Sequence, residues 1–303
     1  GPLYIVYQEY VTEFILDLLH KWISVSACNR DNIVLFTETA GIHNYYTKYC
    51  EFNRTKPIKI VEAPAFIGCH FTLPVLRSVS SSENTKQIER VYSYFGGTDD
   101  GHFDKTLAFI LLYNQDIGFT ERLFDFCDKR ILERNLEVLT EYMDIDCVNS
   151  ILDRYDSLQD TRNSTFLHIP GEKHFIAEDM DYFLSIDNKC FANVIRETSD
   201  IVNPGFTYFS EKTARCFFNN SIPVPLSGAD TNWLTELGYW IPDIVDYGYL
   251  KETNTLKRLQ LVVTEMTRLS KLDLTDYYTA NWDNILHNRN NLLYNQWEVI
   301  KKR

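Results

Sequence analysis

Short apolar runs alternating with stretches of helical periodicity constrain this chain more than any other feature. Runs at residues 32–36, 58–61, 88–95, 164–168, 190–195 and 222–226 stand between Gly, Pro or polar residues, as buried strands do. Between and beyond them, helical spacing recurs at residues 10–22, 103–113, 121–142, 177–184, 211–218, 256–269 and 282–299. In the first helix Val11, Phe14, Ile15, Leu18, Leu19 and Trp22 make one apolar face, which predicts that this face meets the core. Asn281 or Asp283 is placed to cap the last helix. Such alternation predicts an α/β fold with a mostly parallel sheet covered on both faces. Ligands of such sheets bind beyond the carboxyl ends of the strands, where helix N-termini also point.

At 303 residues the chain exceeds the size of an ordinary single core, so one large domain or two lobes both fit. The serine-rich segment 77–86 is the natural joint, dividing the chain into 1–85 and 86–303. A formal charge of −12 gives the surface as a whole no attraction for a nucleic-acid backbone. Lys56, Lys59, Lys86, Arg90, Lys129, Arg130 and Arg134 are the candidates for a local basic face. The seven cysteines show neither CxxC pairing nor metal spacing, which predicts reduced, mostly buried thiols and a cytoplasmic protein. No apolar run reaches membrane-spanning length, so no membrane insertion is expected.

The segment from Phe206 to Tyr249 carries the densest chemistry. Ser210 precedes Glu211, Lys212 and Thr213 at a helix start, where free backbone N–H groups favour an anion. Lys212 can neutralise phosphate there, and Glu211 can accept hydrogen bonds from sugar hydroxyls; an ordinary capped helix with solvated charges uses the same residues. Upstream, Arg196 and Glu197 follow the 190–195 strand at the same sheet edge, where a polar ligand or a surface salt bridge accounts for them equally. Downstream, Ser227 and Gly228 end the 222–226 strand, Asp230 or Thr231 caps the next helix, and Gly238 terminates it. A second candidate loop, Gly96-Gly97-Thr98-Asp99-Asp100-Gly101, matches neither dinucleotide nor P-loop spacing. Gly97 there permits close backbone approach, and Asp100 is a candidate base. Glu38, Glu62 and His70 follow predicted elements of the first lobe, where they serve either structure or proton abstraction. Asp144-Ile145-Asp146 follows a long helix and is not assigned to a metal.

Phe209-Ser210-Glu211-Lys212-Thr213, followed by Ile222-Pro223-Val224-Pro225-Leu226-Ser227-Gly228, resembles the donor-binding segment of the α1,3-fucosyltransferase family. It is similar also to phage-encoded glycosyltransferases with an EKT element, a likeness continued by Leu237-Gly238-Tyr239 and Asp246-Tyr247-Gly248-Tyr249. Val194-Ile195-Arg196-Glu197-Thr198 resembles the strand and acid that precede that element. The likeness covers residues 191–249. It implies a GT-B fold: two Rossmann-like lobes, the first short, the second holding a nucleotide sugar, with C-terminal helices added. It further implies that Glu211 binds donor hydroxyls, Lys212 the phosphates and Glu197 the sugar or ribose, with inversion and without a bound metal or cofactor. The donor would be a nucleoside diphosphate sugar. The acceptor would be a glycan, a small molecule or, if the phage likeness holds, a hydroxymethylated DNA base in an infected cell. A nucleotide-sugar-binding module without turnover is the nonenzymatic alternative.

Overall fold

The computed structural model describes residues 3–7, 11–37, 39–62, 86–96, 103–114, 116–122, 128–141, 143–159, 184–196, 207–209, 211–226 and 231–295. The fold is α/β, with parallel strands in two sheets.

The first sheet is formed by β1 (Leu3–Tyr7), β2 (Ile33–Thr37) and β4 (Lys59–Glu62), in that spatial order and all parallel. Helix α1 (Glu13–Val25) connects β1 to β2, and α2 (Ile42–Phe52) leads from the two-residue β3 (Thr39–Ala40) to β4. Leu16 and Ile23 of α1 join Ile42, Tyr46 and Tyr49 of α2 over Ile33, Leu35 and Ile60, so both helices cover one face. Thr12 caps α1, its hydroxyl accepting from Ile15 N at 3.4 Å. Helix α2 opens at Gly41, whose φ of +81° suits a residue without Cβ.

The α1 burial differs from the expectation. Of the predicted core face Val11 is buried and Ile15 and Leu19 pack against the core, but Leu16, His20 and Ile23 are the helix's buried residues and Phe14, Leu18 and Trp22 are exposed. Hydrogen bonds fix the helix rotation. His20 Nε2 lies 2.9 Å from Tyr46 Oη, and Tyr49 Oη donates to Asp17 Oδ1 at 2.6 Å.

The second sheet has the spatial order β6-β5-β7-β9, all parallel, with β5 at Arg90–Gly96, β6 at Gly118–Arg122, β7 at Cys190–Ile195 and β9 at Ile222–Pro225. From β5 the chain goes outward through α3 (Phe103–Leu112) to β6, then returns through α4 (Lys129–Leu139) and α5 (Ile145–Gln159) to the other side of β5 at β7. The strand order therefore reverses between β5 and β7. Helices α3, α4 and α5 pack with α8 (Thr255–Leu269) and α9 (Leu274–Ala280) in the larger core, over Tyr92 and Tyr94. A second core contains Ala214, Phe217 and Phe218 of α6 (Glu211–Phe218), Trp233 and Leu234 of α7 (Thr231–Glu236), and Leu292 and Leu293 after α10 (Trp282–Asn290).

The helix expected over 121–142 is corrected. Glu121 and Arg122 end β6, whose register with β5 runs from Tyr92↔Gly118 to Gly96↔Arg122. Gly118 is required there because a Cβ would lie 2.3 Å from the Tyr92 ring. Helix α4 begins only after Asp128, whose Oδ1 accepts from Arg130 N at 2.8 Å. Asp144 then starts α5, accepting from Cys147 N at 2.7 Å. The helix expected over 282–299 ends at Asn290 and passes into a π turn, Asn291–Asn295. Asn281 makes no side-chain cap bond and instead donates to Tyr277 O at 3.0 Å. The expected strand at 164–168 and all but the end of the helix at 177–184 lie outside the described residues.

Candidate site at the carboxyl edge of the second sheet

In a parallel sheet the crevice forms where adjacent crossovers leave in opposite directions. Here that point lies between the carboxyl ends of β5 and β7, at Gly96 and Arg196. Gly96 is buried, and a Cβ on it would sit 2.8 Å from the Phe109 ring of α3. The glycine thus lets α3 pack close to the end of β5.

Arg196 directly follows β7 and is 7% exposed. Its Nε donates to Asp104 Oδ2 at 2.6 Å, and Asp104 lies in the first turn of α3. This buried pair ties the two sides of the reversal together. Removing one member would break a buried ion pair, which is strongly destabilising. Tyr94 lies beneath it, its phenol held above the ordinary range chiefly by burial and next by Asp104. On the β9 side, buried Arg258 of α8 donates through Nε to Leu226 O at 2.7 Å and through Nη1 to Glu252 O at 2.8 Å.

Helix α6 starts at Glu211, so its first backbone N–H groups point to the edge entered by β8 (Thr207–Tyr208). Lys212 is half-buried in the first turn, and Thr213 is fully buried on the inner side. Phe217 stacks on Tyr239 at 4.3 Å between centroids, anchoring the helix. Strand β8 pairs antiparallel with β3, with Thr39 opposite Tyr208 and Ala40 opposite Thr207. The carboxyl end of β2 in the first sheet therefore lies beside the approach to α6.

Of the predicted site residues, the structure brings Arg196 to the reversal point and Lys212 and Thr213 to the start of α6. Glu62 ends β4, and its Oε1 accepts from His43 N at 3.2 Å, so it caps the first turn of α2. Glu38, His70, Gly97, Asp100, Glu197, Ser227 and Gly228 lie outside the described residues, as does the Glu211 side chain.

The sequence reading missed a buried polar network at the opposite end of the same strands. Asp187, fully buried, accepts from Ser93 Oγ at 2.7 Å and from Asn219 Nδ2 at 2.6 Å, and Arg215 of α6 lies 3.6 Å away. Arg215 also stacks over the Phe95 ring at 4.8 Å. Lys86, expected as a surface base, is instead buried, donating to Asp187 O at 2.8 Å and to Ser221 Oγ at 2.5 Å. Burial pushes its amine down to about 8, against an opposing pull from Asp187. One signal was present in the chain: Ser93 and Asn193 interrupt apolar strands at positions that prove to be register partners.

The other basic-face candidates are partly spent on ion pairs. Lys56 meets Asp31 at 2.5 Å, Lys129 meets Asp156 at 2.5 Å, and Arg130 meets Asp128 at 2.8 Å. Among the described cysteines, Cys50, Cys190 and Cys216 are buried free thiols and Cys28 is exposed. Among the described residues no helix is long and apolar enough to cross a membrane, and no cluster of His, Cys, Asp and Glu could hold a metal ion. Comparison with family models, curated proteins and solved structures gives no match to this chain.

Proposed function

We propose that this protein is a glycosyltransferase that moves a sugar from a nucleoside diphosphate sugar to an acceptor hydroxyl. The observation that carries the reading is the coincidence of three features at one sheet edge. These are the strand-order reversal between β5 and β7, the start of α6 with Lys212, and the β3–β8 pairing that brings the first sheet alongside. In this reading residues 1–85 form the acceptor-side lobe and residues 86–303 the donor lobe of a GT-B arrangement.

Charge developing on the departing nucleoside diphosphate is offset by the α6 backbone N–H groups and the Lys212 ammonium, with Arg196 held at the same edge by Asp104. Glu211, Glu197 and the segments at Gly97 and Ser227-Gly228 are assigned to the donor. The acceptor base is drawn from Glu38, Asp100 and His70. Glu62 is a weaker choice because it already caps α2. Transfer proceeds with inversion and without a metal. A hydroxymethylated DNA base, the acceptor suggested by the phage likeness, requires a local positive track on a chain of net charge −12.

A module that binds nucleotide sugars without turnover is favoured by one observation: Arg196 and Glu62 are both engaged in holding structure. Incubation with a panel of nucleotide sugars, with and without hydroxymethylated DNA, separates the two readings. Release of nucleoside diphosphate supports the enzyme; binding of a donor without release from any member of the panel refutes it.

A further inference from the structure

Helix α1 carries a second apolar stripe that no other described element covers. Phe14, Leu18, Trp22 and Val25 are 67%, 48%, 43% and 79% exposed. At about 100° per residue these four fall within about 80° of one another on the helix surface. The stripe cannot turn inward, because the His20–Tyr46 and Tyr49–Asp17 hydrogen bonds fix the helix rotation. Along one flank run the exposed residues Glu13, Asp17 and Lys21.

From this geometry we propose that α1 is a homodimer interface, packing antiparallel against α1 of a second copy of this chain. A two-fold axis perpendicular to both helices sets each charged flank against its own copy in reverse order. Centred near Leu19, it places Asp17 opposite Lys21 of the second copy, and Lys21 opposite its Asp17. The same operation interleaves Phe14 and Trp22 around Leu18 and opposes the two helix dipoles. Parallel pairing would instead set the charged flank against the Ile15 and Leu19 side of the second copy, where it meets no opposite charge. A membrane surface fits poorly, because the flank carries two acids and one base and the chain is acidic overall. Exposed Trp and Phe side chains are the kind that anchor protein interfaces. The stripe offers on the order of 400 Å² per copy, below the roughly 800 Å² of a standard interface, so association is weak and concentration-dependent.

The test is sedimentation velocity of the full chain over a hundredfold concentration range starting near 1 µM, alongside Leu18→Glu and Lys21→Asp, which leave the Tyr49–Asp17 hydrogen bond in place. Far-UV circular dichroism confirms that each variant is folded. The proposal expects a reversible monomer–dimer equilibrium, at least about tenfold weaker in Leu18→Glu and in Lys21→Asp. A chain monomeric throughout the range, or a dimer unaffected by Leu18→Glu, overturns the interface. A dimer sensitive to Leu18→Glu but indifferent to Lys21→Asp overturns the antiparallel register.

Discussion

Replacing Lys86 with Met should change how stability responds to pH more than it changes the fold. The amine is buried against Asp187 O and Ser221 Oγ, and its folded value near 8 lies below its ordinary 10.5. Between those values the unfolded chain holds a proton that the native state has released, so wild-type stability gains from this site as pH rises from 8 toward 10.5. Below pH 8 both states are protonated, and the native state carries the full cost of a buried ammonium. The difference of 2.5 corresponds to about 3 kcal/mol. Buried tyrosines and Cys190, whose folded values are raised, oppose this gain above about pH 9. They are common to both proteins and largely cancel in the difference. Urea denaturation at pH 7 and pH 10 should therefore show the stability of wild type rising by about 2–3 kcal/mol relative to Lys86→Met. Parallel pH dependence in the two proteins would refute a buried, proton-releasing Lys86.

Gly118→Ala should destabilise by about 1–3 kcal/mol, read as a lower urea midpoint, because the added methyl meets the Tyr92 ring whose hydroxyl is bonded to Leu112 O. Asp104→Ala should cost about 3–5 kcal/mol by the same assay, since it breaks the buried Arg196–Asp104 ion pair at the end of β7. His20 is held below its ordinary 6.5, first by burial and then by Arg30, so its contribution is intact above pH 6.5 and lost as pH falls through the folded value. Its imidazole resonances should titrate below 6.5, and a midpoint above that value would contradict the Arg30–His20–Tyr46 arrangement.

Much of the strand framework was legible because buried parallel strands are apolar throughout. The expected runs at 32–36, 58–61, 88–95, 190–195 and 222–226 fall on β2, β4, β5, β7 and β9 to within two residues at each end. Strand β6 was not legible, since Gly118-Phe119-Thr120-Glu121-Arg122 is half polar and is placed by its register with β5. Half of the α1 face was misread for a related reason: apolar residues encircle more than half the helix, and the His20–Tyr46 and Tyr49–Asp17 hydrogen bonds decide which stripe turns inward. At the site, the capped start of α6 could be read from Ser210-Glu211-Lys212-Thr213. The Arg196–Asp104 pair could not, because its partners are 92 residues apart and meet only through the strand-order reversal. Lys86 is the same case on a longer scale, its contact with Ser221 spanning 135 residues.

The most direct test of the central claim is calorimetric titration of a nucleoside diphosphate panel into wild type and Lys212→Ala. The account predicts that at least one nucleoside diphosphate binds wild type, with affinity reduced about tenfold or more in the variant while its denaturation curve is unchanged. Binding of equal strength in both proteins, or no binding of any nucleoside diphosphate to wild type, would contradict a donor site at the start of α6.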